Sequence, residues 1–304
     1  MLDPRELYEL AGELPELDHP VMVVAMTGFV DAAGATRLAA DHLRSAGDPA
    51  PVARFDVDQV FDYRARRPAM LFVEDHWESY ETPAIRLDLL HDLAGTPYLL
   101  LDGPEPDLQW ERFVAAVERL TADLDTRSSV GLNAIPMAVP HTRPLGVTAH
   151  ANRHELIAEH QPWLQRVQVP GSAAHLLEFR LGQAGRDALG FAVHVPHYLA
   201  QTDYPAAAQT LLEAVSRATG LELVPESLRT AAERVRAEVD RQVVESEEVT
   251  SVVRALEQQY DAYVAGRGSD LLAPGAGPLP TADELGAELE RFLAERTERG
   301  DQQG

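Results

Sequence analysis

From His19 to Gly28 the chain reads HPVMVVAMTG, an apolar run closed by a glycine. A strand that stays apolar on both alternating sides is covered on both faces, so this run predicts a buried strand. Asp31 then stands where a helix cap would, ahead of Ala32, Ala35, Leu38, Ala39 and Leu43, which share one side of a helix running through Arg44. VARFDV at 52–57 and AMLFVE at 69–74 predict further strands. Residues 85–102 predict a hairpin turned at Ala94–Pro97, with Tyr98–Leu101 as a central buried strand. Asp107 is placed to cap a helix whose apolar face is Trp110, Phe113, Val114, Val117 and Leu124. SVGLNAIPMAV at 129–139 and ALGFAVHVP at 188–196 predict strands, while PLGVTAH at 144–150 fits neither period cleanly. Residues 172–182 and 204–219 predict helices, with Pro205 suited to a first turn. Strands alternating with helices through residue 220 imply an α/β domain, a three-layer α/β/α sandwich on a largely parallel sheet.

The pattern changes after Pro225. Leu228, Ala232, Val235, Val239, Gln242, Ser246, Val249, Val253, Leu256, Tyr260 and Tyr263 are spaced four and three apart, and nine of the eleven are apolar or aromatic. That is a heptad-like seam with a polar weak point in its middle, near Glu245–Glu248. Two organisations fit. Two helices broken at the weak point can fold onto the α/β domain or each other, or one long helix can pack between subunits, with Val235, Val239, Val253, Leu256 and Tyr260 in the interface. Residues 266–280, GRGSDLLAPGAGPLP, predict a Gly/Pro linker, and Thr281 with Glu284 forms a capping box for a final helix over 282–299. The expected division is an α/β domain at 1–220 and a C-terminal helical region at 221–304.

Composition narrows the chemistry. Among 304 residues there is no Cys, which excludes disulfides, thiolate metal sites and Cys nucleophiles. All 26 basic residues are Arg, so no lysine is available for a Schiff base or a phosphate-binding loop. Arg stays protonated at any working pH, leaving Asp, Glu, His and Tyr for acid–base chemistry. The net charge is −23, with −14 over residues 1–220 and −9 over 221–304, so acid covers the whole surface. Such a surface repels phosphate backbones and anionic membranes, and neither nucleic acid nor membrane is expected as a partner. No apolar run approaches 18 residues, and MLDPRELYEL at the start is neither basic nor apolar enough for a signal peptide; the cytosol is the expected compartment.

Four motifs could carry function. GFVDAAG, Gly28–Gly34, follows a strand and opens a helix, where α/β folds place ligands, although the negative charge of Asp31 at the cap disfavours phosphate. The same segment serves equally as a tight turn with a capped helix. HANRH puts His150 and His154 four residues apart, but no third ligand is evident, and no metal or cofactor is expected. Ser172 lacks a nucleophile elbow and suits an N-cap. The loop PMAVPHTRPLG, Pro136–Gly146, is stiffened by prolines and projects His141, Thr142 and Arg143 at the end of a buried strand. It can line a pocket, or act as a structural crossover whose Arg143 binds a carboxylate; Asn133 and His197, the latter able to join the histidines only through folding, are further ligand or partner-binding candidates.

GFVDAAGAT at 28–36, GLNAIPMAVPHTRP at 131–144 and VPHYLAQTDYPAAAQTLLEAV at 195–215 together resemble the proteasome assembly chaperone 2 family, in its actinobacterial branch. The resemblance implies a three-layer α/β/α fold similar to purine nucleoside phosphorylases, with a C-terminal helical extension. It implies homo-oligomers, a trimer or a multiple of one, and proteasome subunits as partners. Relatives commonly dock through a terminal hydrophobic–Tyr–any tripeptide. This sequence ends Gln302-Gln303-Gly304, so docking is expected through a folded face. The face bearing Glu233, Glu238, Asp240, Glu247 and Glu257 is the candidate. A non-catalytic binding or assembly protein is the leading expectation. A small-molecule enzyme with a pocket near Gly28, Asn133 and His141, and a purely structural homo-oligomer, are the alternatives.

Overall fold

A computed structural model describes residues 2–160 and 166–269. Among these residues, ten strands and six α-helices follow in chain order. The strands are β1 (Tyr8–Leu10), β2 (Val21–Thr27), β3 (Ala50–Phe55), β4 (Met70–Val73), β5 (His76–Tyr80), β6 (Arg86–His91), β7 (Pro97–Pro104), β8 (Ser128–Met137), β9 (Val147–Ala151) and β10 (Asp187–Pro196). The helices are α1 (Ala35–Gly47), α2 (Trp110–Asp123), α3 (Ala173–Gln183), α4 (Pro205–Thr219), α5 (Glu226–Val244) and α6 (Glu247–Ser269).

Eight strands form one sheet in the order β1-β3-β6-β7-β2-β8-β10-β9. Its centre, β7-β2-β8-β10, is parallel, and its margins are antiparallel. The central strands are those with continuous apolar runs, because helices cover both faces. On one face Val23, Leu100, Val130 and Phe191 pack with Leu43 of α1 and Leu211 and Leu212 of α4. On the other, Met22, Leu99 and Leu101 pack with Phe113 and Val117 of α2 and Leu177 and Leu181 of α3. Each such Leu or Phe contributes about 1.5–3 kcal/mol of burial. The three-layer α/β/α sandwich read from the sequence is the architecture observed.

Two carboxylates are buried between α1 and the antiparallel margin. Asp88 of β6 meets Arg44 at 2.6 Å and Arg54 at 2.5 Å, while Asp102 of β7 is held by Arg44 and, at 3.0 Å, by Arg86. Forked guanidiniums suit this bridging better than a point-charge ammonium, which fits a chain that uses Arg alone. Removing one partner strands a buried charge and costs about 3–5 kcal/mol.

Some local expectations need correction. Asp107 does not cap α2: its Oδ2 accepts from the Asp62 N–H at 2.7 Å and pairs with Arg66, and the helix starts only at Trp110. Asp31 does act as a cap, one turn early, because a 3-10 turn at Ala32–Gly34 intervenes; its carboxylate accepts from the backbone N–H of Thr36 (2.7 Å) and Arg37 (3.1 Å). AMLFVE is a strand, but outside the main sheet. β4 and β5 form a separate hairpin whose Met70, Leu71, Phe72, Trp77 and Tyr80 are all exposed.

The seam after Pro225 is two helices. Ser246 lies between them, its Oγ accepting from the Val249 N–H, and Thr250 donates back to the Val243 carbonyl at 2.8 Å. Polar side chains there satisfy helix-end groups that a continuous helix would bond internally, so the weak point becomes a break. Leu228 and Val239 join the same core cluster as α1 and α4, with Val235 packed at its edge. Val253 and Leu256 are buried within the chain as well. The single long helix between subunits is therefore replaced by a helical pair folded back onto its own protomer. α6 takes in residues 266–269, the start of the expected linker. The rest of that linker, the Thr281–Glu284 box and the helix at 282–299 lie outside the described residues.

Candidate functional site

The candidate residues fall into two groups, one beside the start of α3 and one against α5 and α6. The first gathers at the C-terminal ends of the parallel strands, where open α/β sheets bind ligands. Gly28 ends β2 with φ of +130°, a conformation L side chains rarely adopt, and a Cβ there would lie 2.7 Å from Arg66. The turn it permits presents Phe29 and leads to Asp31, which bridges to Ala134 of β8. Asn133 of β8 lies one residue away.

These elements border a small cleft open to solvent. Met26, Phe29 and Val30 come from β2 and its turn, Glu105 from the end of β7, Gly131, Leu132 and Asn133 from β8, His150 from β9, and Ser172, Ala174, His175 and Glu178 from the start of α3. Ser172 is the N-cap of α3, accepting from the His175 N–H at 3.1 Å, so its role matches the cap expected. Glu105 accepts from the Ala173 N–H, and burial raises its pKa above the ordinary carboxylate value. His150 Nδ1 donates to Glu178 Oε1 at 2.9 Å. His175 packs edge-on to His150 and to Phe29, and burial, helped by His150, lowers its pKa. His150 and His154 do not share a helix face: His150 is on an edge strand and His154 opens a 3-10 turn.

Gly131 lines the floor of the cleft, next to Gly190. Gly131 and Gly190 are partners on β8 and β10, both facing α3. At Gly190 a Cβ would collide with the His150 ring, whereas at Gly131 it would meet nothing closer than 3.9 Å. Glycine inside a strand marks a place where something else approaches the backbone closely.

The second group holds the helical pair. His141 is buried; its Nε2 donates to Asp240 of α5 at 3.0 Å and its Nδ1 accepts from the Tyr198 hydroxyl at 2.6 Å, while the Tyr198 oxygen accepts from the His141 N–H. Burial pushes its pKa down despite Asp240. Arg143 clasps Asp261 of α6 at 2.8 and 2.7 Å and reaches Glu257 at 3.2 Å; Thr142 donates to Glu257 at 2.5 Å. Tyr260 donates to the Pro144 carbonyl at 3.0 Å. Of the two readings of the Pro-rich loop, the geometry is that of a crossover whose Arg143 binds carboxylates. His197 lies at the end of β10, its ring edge-on to Tyr198, away from the cleft lining. Asp240 and Glu257 are thus engaged by the loop, Glu238 is exposed but paired with Arg241 at 2.5 Å, and Glu233 and Glu247 are exposed.

Comparison with known proteins follows the same fold. The PAC2 family pattern matches residues 25–243, taking in both groups up to the end of α5. The chain belongs to the PAC2 family. No curated protein matches. Among solved structures, the Mycobacterium tuberculosis protein Rv2714, of unknown function, is 52% identical with a TM-score of 0.83, over 85% of this chain and 92% of that one. A Corynebacterium glutamicum protein of unknown function is 38% identical with a TM-score of 0.81, over 85% and 98%. The M. tuberculosis proteasome-assembly chaperone homologue Rv2125 is 27% identical with a TM-score of 0.69, over 77% and 99%.

The PAC2 motifs quoted from the sequence are parts of this scaffold: the first makes the β2–α1 turn, the second β8 and its loop, the third the passage from β10 into α4. Glu105, His175 and Glu178 of the cleft were not legible as a group. His150 and Ser172 stood out only for other reasons, and the one available signal was a pair of glycines inside two apolar runs.

Proposed function

We propose that this PAC2 protein is a non-catalytic binding and assembly protein that works as a cytosolic homo-oligomer and engages proteasome subunits through a folded face. The observation that carries the reading is the PAC2 match across most of the chain, with a proteasome-assembly chaperone homologue among its structural relatives. The exposed hairpin supports the oligomer. A two-stranded hairpin is at best marginally stable alone, and Phe72, Trp77 and their apolar neighbours gain most from burial against a second copy. The acidic face around Glu233, Glu238 and Glu247 supports docking on a basic patch.

The test mixes the purified protein with purified actinobacterial proteasome α and β subunits and follows complexes by size-exclusion light scattering. Co-elution that weakens with salt, and with Glu238→Arg, is the expected result. Absence of any complex, with either subunit alone or both, removes the proteasome from the proposal.

A further inference from the structure

We infer that α6 is a latch: it swings away from the body as a unit about Ser246 while α5 stays in place, and the loop Pro136–Gly146 holds it shut. This goes beyond the assembly role and does not depend on it. The two helices are attached in different ways. α5 packs on α4, and its Leu228 and Val239 belong to the core cluster that contains the central strands. α6 packs on α5. Its Val253 and Leu256 are buried, yet they belong to neither of the two core clusters. Burial in a shared core ties α5 to the sheet, whereas α6 buries its apolar side chains outside that core.

The loop grips α6 with polar groups from three successive residues. Thr142 donates to Glu257, Arg143 forks onto Asp261 and reaches Glu257, and the Pro144 carbonyl accepts from Tyr260. Pro140 and Pro144 bracket the polar residues, so the loop presents them on a stiffened backbone. The clasp is open to water: the Arg143 side chain is 31% exposed and that of Asp261 55%. Charge pairs in such a setting are weakened by salt, which screens exposed charges within about 8 Å at physiological ionic strength. The joint is already made at Ser246. The Val249 N–H bond to Ser246 Oγ and the Thr250 N–H bond to the Ser246 carbonyl travel with α6 and keep its first turn capped, while Thr250 Oγ1 on the Val243 carbonyl spans the joint. A helix fastened by solvent-reached pairs and joined at a ready break opens at lower free energy than the core it leaves. Opening brings Val253 and Leu256 out beside Val249 and Val252, which are exposed already, and the four share one side of α6.

Because the chain has no Cys, one introduced thiol reports opening at a chosen place. Val253→Cys on α6 and Val239→Cys on α5 are compared in the full-length protein by their rates of reaction with Ellman's reagent; both positions are buried, so reaction requires opening. The thiol at 253 should react at least about tenfold faster than the one at 239, and only its rate should rise when sodium chloride goes from about 0.05 to 0.5 M. Adding Arg143→Gln should raise the rate at 253 at least about tenfold, since it removes several bonds to charged groups, and leave the rate at 239 unchanged. Hydrogen exchange of the unaltered protein gives the same contrast without substitution: amides of 247–265 should exchange faster than those of 226–244, by a margin that salt widens. Exchange decides alone if either thiol variant fails to fold by circular dichroism. The inference is overturned if the two thiols, or the two sets of amides, open together and respond alike to salt, or if Arg143→Gln leaves the rate at 253 unchanged.

Discussion

Two excursions leave the α/β body, and they treat their apolar residues in opposite ways. The helical pair α5–α6 turns its seam inward: Val239, Val253 and Leu256 are buried, and His141, Thr142 and Arg143 reach out from one loop to fasten both helices. The hairpin β4–β5 does the reverse. Phe72 and Trp77 stack edge-on against each other, 5.1 Å apart, yet both are more than half exposed. Periodicity left two organisations open, a pair folded onto its own chain or a helix between subunits, because a heptad-like seam looks like an interface wherever its partner lies. The hairpin leaves all five of its large apolar residues exposed, while the helical pair leaves Val244, Val249, Val252 and Val264 exposed beside its buried seam positions. A seam tells what a helix must bury but not whether the partner is its own chain.

That contrast can be broken from either side. The largest effect is expected for Leu256→Ala, which should cost about 2–4 kcal/mol in thermal or denaturant unfolding while leaving the oligomeric mass unchanged. A drop in mass without loss of stability would return the seam to the subunit interface. A smaller effect is expected from pH. The folded chain holds His141 and His175 below the ordinary value of 6.5, so the unfolded chain takes up protons first as pH falls. Their contribution to stability is complete above about pH 6.5 and is lost as pH drops through the lowered folded values. The melting temperature should therefore fall between pH 7 and 5, and His141→Gln should flatten the slope; an unchanged slope would show that the clasp on Asp240 does not depend on a neutral imidazole. The smallest stability change is expected for Phe72→Ser with Trp77→Ser, within about 0.5 kcal/mol for exposed positions. The same pair should reduce the mass in light scattering toward that of one 33.3 kDa chain. Retention of the oligomer would separate the hairpin from assembly.

Much of the scaffold could be read in advance because its signals are local. Val21–Thr27, Ser128–Met137 and Asp187–Pro196 are strands whose near-continuous apolar runs betray burial on both faces. Ser172 at the head of α3 and Pro205 in the first turn of α4 mark helix starts by the chemistry of unsatisfied N–H groups. Where several polar residues could serve one cap, as with Asp107, the local signal misled, since the carboxylate had a better partner in the backbone of Asp62.

The sequence by itself determined the layered α/β core, the polar weak point near Glu245–Glu248 and the exclusion of thiol and lysine chemistry, because each depends on residue type or on spacings of a few positions. Only the tertiary structure decided what those layers bring together. His141 meets Asp240 across 99 residues, Arg143 meets Asp261 across 118, and His150 meets Glu178 across 28. Those contacts depend on strand order, register and helix orientation, and no periodicity along the chain encodes distances between elements. The cleft is the clearest case. Gly131 and Gly190 are unremarked glycines 59 positions apart until parallel pairing of β8 and β10 sets them side by side beneath α3.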